Sequence, residues 1–135
     1  MKVFVDTHVW LSGRFRPGLC ADLLETLLEV DAEILLDERV LTEFRRIARD
    51  KLGVEDAPLA RAEQFFRDFT HILPAAAEPA ADIPDPDDAW IIAAALSAQA
   101  DCFVTGDKAL LDLGQVGGMP IISPREAYQR LRGLG

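Results

Sequence analysis

The chain has 135 residues, half of them hydrophobic, and a net charge of −9. That length predicts one domain over residues 1–135, and no apolar run approaches the ~20 residues that span a membrane. The acidity counts against a broad nucleic-acid-binding face, but not against a small site bridged by a cation, which reverses the local field.

In chain order, Val3–Asp6 reads as a buried strand that ends on a carboxylate. It starts almost at the first residue, which predicts no signal peptide. Leu23, Leu24, Leu27 and Leu28 recur at helical spacing and predict a helix over 19–30, followed by a short strand over 33–36. A second helix is expected over 38–52, buried through Val40, Leu41, Phe44, Ile47 and Ala48, with Gly53 at its end. A third is expected over 56–71, with Asp56 as its cap and Phe65, Phe66 and Phe69 on its apolar side. Residues 71–73 either finish that helix or form a strand. An Ala/Pro-rich stretch over 74–84 leads to a helix over 87–100, a strand over 102–105, a short helix over 108–113 and a strand over 119–122. Ser123-Pro124-Arg125-Glu126 is a helix start: cap, Pro at the first position and Glu at the third.

Short apolar strands alternating with amphipathic helices predict an α/β domain, three layers deep (α/β/α). Its central twisted sheet should be mainly parallel, with four or five strands flanked by helices. Ligands of such sheets bind beyond the carboxyl ends of the strands, where Asp6 would sit. Cys20 and Cys102 both read as reduced thiols and fit a cytoplasmic setting.

Asp107 follows a strand just as Asp6 does, in "DCFVTGDKALL". Alone, each is as readily a helix cap; together they would emerge at one sheet edge. Asp88, in "IPDPDDAWIIAAAL", lies in the middle of the stripe of Ile91, Ile92, Ala95 and Leu96 and so faces the sheet, while Asp85 and Asp87 suit capping. Glu43 borders an apolar stripe, where it is a site acid or a surface acid paired with Arg39 or Arg46. Converging carboxylates repel, and their pKa values rise unless a cation is present. An all-oxygen donor set suits Mg²⁺ or Mn²⁺, one or two ions, and no Cys/His cluster suggests zinc. His8 either approaches this site or packs beside it, and His71 is isolated. Thr105 can bond a site carboxylate, a phosphate bound there or its own loop. Arg14 and Arg16, taken as loop residues, are candidate phosphate contacts or plain surface arginines.

These residues together resemble the PIN domain family of metal-dependent ribonucleases. "VFVDTHVWLSG" is similar to the first family motif, "DERVLTEFRRI" to the second, "DPDDAWIIAAALSAQADCFVTGDKALL" to the most specific part, and "MPIISPREAYQRL" to the closing strand and helix. The resemblance implies that Asp6, Glu43, Asp88 and Asp107 hold the metal and carry catalysis, with Thr105 and His8 supporting and Asp112 an outer acid at most. Many members of the nearest branch carry Asn where this chain has His8. That branch comprises VapC-like toxins of toxin–antitoxin pairs. It implies an RNA substrate, a cognate antitoxin and a homodimer to which the Phe65–Phe69 helix can contribute. The alternatives are a PIN-like binding module with weak or no nuclease activity and a solitary RNA-processing nuclease. A phosphotransfer domain also puts Asp after its first strand, but the phosphatase pattern wants a second Asp where His8 stands, and a receiver wants an acidic pair near its start.

Overall fold

The computed structural model describes residues 1–133. Val3, Phe4 and Val5 are buried in the first strand, β1 (Lys2–Val5), at the middle of the sheet. β1 pairs in parallel with β2 (Glu33–Asp37) on one side and β4 (Cys102–Val104) on the other. Outside β2 lies β3 (His71–Leu73), also parallel, and outside β4 lies β6 (Met119–Ile122). Strands buried on both faces read as unbroken apolar runs, as residues 3–5, 34–36 and 102–104 do, whereas β3 is largely exposed. Phe4 and Phe103, partners in the β1–β4 register, stack at 5.2 Å.

The sheet has six strands, in the order β3-β2-β1-β4-β6-β5, rather than four or five. The extra strand is β5 (Gln115–Val116), paired antiparallel with β6. Gly117 and Gly118, both at positive φ, form the tight turn between them, a role that glycine fills without strain.

The helices are α1 (Thr7–Phe15), α2 (Leu19–Glu29), α3 (Glu38–Asp50), α4 (Asp56–Phe69), α5 (Pro86–Ser97), α6 (Lys108–Leu111) and α7 (Pro124–Leu131). Helix α1 occupies residues expected to be a loop, so Arg14 is helical and Arg16 is the residue that ends the helix. Ser12, Gly13 and the β-branched Thr7 and Val9 are weak helix formers, yet tertiary packing requires this helix. A methyl group at Gly13 would overlap Leu24 Cδ1 and lie 3.1 Å from the Cys20 carbonyl oxygen, so glycine is what lets α1 and α2 pack this closely. Trp10, fully buried, meets Phe66 edge-on at 4.9 Å, and Phe66 meets Phe44 at the same distance, which joins α1, α3 and α4.

Smaller corrections follow the capping chemistry. α4 is preceded by Glu55 without a side-chain cap, and Asp56 is its first residue rather than its cap. Ser123 Oγ accepts the Glu126 N–H at 3.1 Å, while the Glu126 carboxylate faces Arg130 at 3.6 Å instead of turning back on the cap. Of the three phenylalanines on α4, Phe66 is buried, Phe65 half-buried and Phe69 exposed. Cys102 is buried, Cys20 half-buried, and both are free thiols. Among the described residues, no helix is long and apolar enough to cross a membrane.

The strand order fixes where a site can form. From β1 the chain first winds outward through β2 to β3, then returns to β4 on the opposite side and winds outward again. Beyond the carboxyl ends of β1 and β4, the connections leave in opposite directions and open a crevice. Asp6 stands at the end of β1, with Thr105 and Asp107 just past β4.

Candidate active site: an acidic cleft at the β1–β4 edge

A cleft of about 370 Å³ lies at this edge, lined by Asp6, His8, Glu43, Asp85, Asp87, Asp88, Thr105, Gly106 and Asp107. All six residues proposed from sequence are among them. Asp6 comes from β1, Glu43 from α3, Asp88 from α5, and Thr105 and Asp107 from the turn after β4.

Asp6 is held most tightly. Its Oδ1 accepts the Thr7 N–H at 2.7 Å and its Oδ2 accepts the Thr105 hydroxyl at 2.7 Å, both bonds buried. Its own N–H donates to the Val104 carbonyl at 3.0 Å. Burial pushes the Asp6 carboxyl above its ordinary range, the two hydrogen bonds pull it back, and the Glu43 carboxylate adds to the rise.

Thr105 is fully buried. Two of the three roles open to it in the sequence are filled at once: the hydroxyl donates to Asp6 and accepts the Asp107 N–H at 3.0 Å. Asp107 in turn caps α6, its Oδ1 accepting the N–H groups of Ala109 at 2.8 Å and Leu110 at 3.3 Å. The cap reading and the site reading of Asp107 are therefore not alternatives, because one oxygen holds the helix while the residue lines the cleft.

Asp88 occupies the third position of α5, in the helix start capped by Asp85 Oδ1, which accepts the Asp87 N–H at 2.8 Å. Its carboxyl is raised to about 7, first by burial and then by the negative charges of Asp6, Asp85, Asp107 and Glu43. A carboxyl next to a helix N-terminus would ordinarily be favoured in its charged form; here desolvation and four neighbouring acids outweigh that. Glu43 is half-buried, and among the described residues it makes no ion pair with Arg39 or Arg46.

His8 is exposed on the cleft rim, while His71 opens β3 and does not line the cleft. Asp112 pairs with Lys108 at 3.3 Å and also lies outside the lining. Arg14 does not face the cleft: its guanidinium stacks on Phe65 at 4.8 Å, and burial, with Arg61 nearby, lowers its pKa.

Two kinds of residue escaped the sequence reading. Asp85 and Asp87 line the cleft as well as opening α5, and the Asp-Pro-Asp-Asp run was the available signal. Asp37, fully buried at the end of β2, caps α3 through Oδ1, which accepts the Val40 N–H at 2.9 Å, while its Oδ2 is buried without a partner. Burial raises its carboxyl, with partial relief from that N–H and from the nearby Arg39 charge. Asp37 fixes the start of the helix that delivers Glu43, and its place directly after a strand, like that of Asp6, could have marked it.

The donor chemistry fits a hard divalent cation: carboxylates and one hydroxyl, with net repulsion that a cation would relieve. Among the described residues, no three of these groups are already gathered closely enough to form a ready-made cage. Mg²⁺ commonly uses one or two carboxylates and completes its shell with water and substrate phosphate.

Comparisons with known proteins agree with this fold. No curated protein sequence matches the chain. A chain in the crystal structure of VapBC2 from Rickettsia felis, bound to a DNA fragment from their promoter, superposes with a TM-score of 0.66 at 15% identity, covering 91% of this chain and 98% of that one. The PIN domain endonuclease Utp24 superposes with a TM-score of 0.53 at 18% identity, covering 90% of this chain and 84% of the other. At such identities the likeness is one of fold. The family profile of the PIN domain matches residues 2–109, which include every carboxylate of the cleft. The chain belongs to the PIN domain family.

Proposed function

We propose that the protein is a metal-dependent endoribonuclease that hydrolyses RNA phosphodiester bonds, with Asp6, Glu43, Asp88 and Asp107 as its metal-binding and catalytic carboxylates. The observation that carries this reading is the meeting of these four acids, from four separate segments, in one cleft where Asp88 is raised to about 7. A retired site would have no reason to tolerate that repulsion, which argues against a binding module without catalysis. Mg²⁺ or Mn²⁺, one or two ions, held there would supply charge to activate water and to stabilise the phosphate as it is attacked.

The chain's own residues do the positioning. Thr105 holds Asp6 in one orientation and ties it to the Asp107 backbone. The start of α6 fixes Asp107, and the start of α3, capped by Asp37, fixes Glu43. Asp88, raised to about 7, is partly protonated near neutrality and would give up that proton to a cation held in the cleft. No Ser or Cys nucleophile is required.

Titration calorimetry with Mn²⁺ tests the metal site: saturable binding is expected near neutral pH, lost in Asp6→Asn, and absence of binding to the unaltered chain would favour the non-catalytic module.

The likeness to VapBC2 supports a role as the toxin of a type II toxin–antitoxin pair, with a cognate antitoxin that covers the cleft, a homodimeric state and a cytoplasmic site of action. The two free thiols fit such a reducing compartment. Expression of the chain alone should arrest growth, and co-expression of a small protein encoded beside it should relieve the arrest. Normal growth under strong expression would favour a solitary RNA-processing nuclease.

A further inference from the structure

A second groove, of about 500 Å³, opens directly off the acidic cleft and shares Glu43, Asp87 and Asp88 with it. Its character is different. It carries Arg39 and Arg46, the hydroxyl residues Thr7 and Thr42, and apolar patches from Val40, Ala75 and Ile91. Arg39, Glu43 and Arg46 follow at i, i+4 and i+7, so one stripe of α3 presents a site carboxylate with a cation on each side.

Among the described residues, four of the eleven arginines pair with an acid: Arg45, Arg49, Arg130 and Arg132, with Glu63, Asp56, Glu126 and Glu29. Among the described residues, Arg39 and Arg46 have no carboxylate within ion-pair distance, although their groove also holds Glu38, Glu43, Asp87 and Asp88. The Arg39 guanidinium carbon instead lies over the Trp90 ring of α5, 4.4 Å from its centre. A cation–π contact of this kind restrains the guanidinium, whose N–H donors can still meet a phosphate. A smaller hollow, of about 250 Å³, meets the cleft only through His8 and carries Arg16 and Lys51. It has no stacked cation, since neither of those residues lies over an aromatic ring.

We propose that the Arg39–Arg46 groove is the subsite for the RNA backbone next to the bond that is cut, with Arg39, braced on Trp90, and Arg46 binding phosphates of the flanking nucleotides. This rests on the ribonuclease reading of the adjoining cleft. Sequence-independent phosphate contacts of this kind strengthen substrate binding without entering the chemical step.

The test has two arms, both on the full chain. In the first, cleavage of one single-stranded RNA is compared between the unaltered chain and Arg39→Ala, Arg46→Ala and Trp90→Ala, with Lys51→Ala as a control. KM should rise about five- to tenfold in each arginine variant with kcat within about threefold, and Arg39→Lys should recover only part of the loss because lysine does not keep the planar, stacked geometry. In the second arm, the same substitutions are made in an Asp107→Asn background, and binding of a labelled RNA is followed by fluorescence anisotropy against salt. Each lost arginine should reduce the salt slope by about 0.7, the value for one phosphate contact on a single strand. Unchanged KM and unchanged salt slope in Arg39→Ala and Arg46→Ala would overturn the proposal, as would a larger effect from Lys51→Ala. If the unaltered chain cleaves no RNA yet binding still depends on Arg39 and Arg46, the cleavage reading fails and the groove stands. If it cleaves RNA and the arginine variants bind as well as it does, the groove alone fails.

Discussion

The Thr105 hydroxyl donates to Asp6 Oδ2 at 2.7 Å and, on its other side, accepts the N–H of Asp107 at 3.0 Å. Two neighbouring strands thus deliver their acids to one cleft through a single buried oxygen. Thr105→Val keeps the shape but leaves an Asp6 oxygen and the Asp107 N–H without a partner. It should cost about 1–3 kcal/mol of stability, read by urea unfolding. Mn²⁺ affinity should fall about tenfold, as it does when a group that orients a metal ligand is lost. Thr105→Ser should restore most of both. Equal Mn²⁺ affinity in Thr105→Val would show that the bond does not position Asp6.

Asp88 sets the pH behaviour. Its carboxyl is raised from 3.8 to about 7, so the folded chain holds this proton more tightly than the unfolded chain does. Its contribution to stability is therefore most favourable at low pH, falls as pH rises from about 4, and is fully lost above about 7. Asp88→Asn should melt a few degrees above the parent at about pH 8 without metal, the gap closing toward pH 4. Mg²⁺ at about pH 8 should raise the melting point of the parent and have little effect on the variant. Coincident melting curves at high pH would remove the repulsion on which the site argument rests.

Asp37 caps α3 while leaving a buried oxygen unpartnered. Asp37→Ala removes the cap and should cost about 1–2 kcal/mol. Asp37→Asn can keep the cap while removing a buried charge, and should be close to neutral or stabilising. If the asparagine variant is as damaged as the alanine variant, the charge itself is needed, and Arg39 becomes the partner to examine.

Gly13 lies inside α1, where alanine would ordinarily improve a helix by roughly 1 kcal/mol. The overlap with buried Leu24 and the approach to the Cys20 carbonyl should reverse that sign. Gly13→Ala is expected to destabilise the chain by about 1–2 kcal/mol, read by chemical unfolding. A stabilised variant would mean that α2 yields freely.

That glycine also shows why part of the fold was hidden in the sequence. Parallel strands followed by Asp6 and Asp107 were legible because apolar runs, helical stripes and cap residues are local signals. So was the inward side of Asp88, which follows from helical period alone. Helix α1 was not, because its local propensity is poor and packing against α2 decides it. Strand β5 is two residues long, and only the Gly117-Gly118 turn advertised it. The stacking of Arg39 on Trp90 joins helices far apart in sequence, and neither residue alone predicts it. Glu43 read more readily as a surface acid until its helix was placed beside the cleft.

The most direct test is single-turnover cleavage of RNA in Mg²⁺ by the parent chain and by Asp6→Asn and Asp107→Asn, each first shown to be folded. The parent should cut RNA and stop on chelation, and each variant should lose on the order of a hundredfold or more in rate, as when a charged group that stabilises a transition state is removed. Cleavage that persists unchanged in either folded variant, or in the parent after chelation, would contradict the assignment of these carboxylates as a metal-dependent active site.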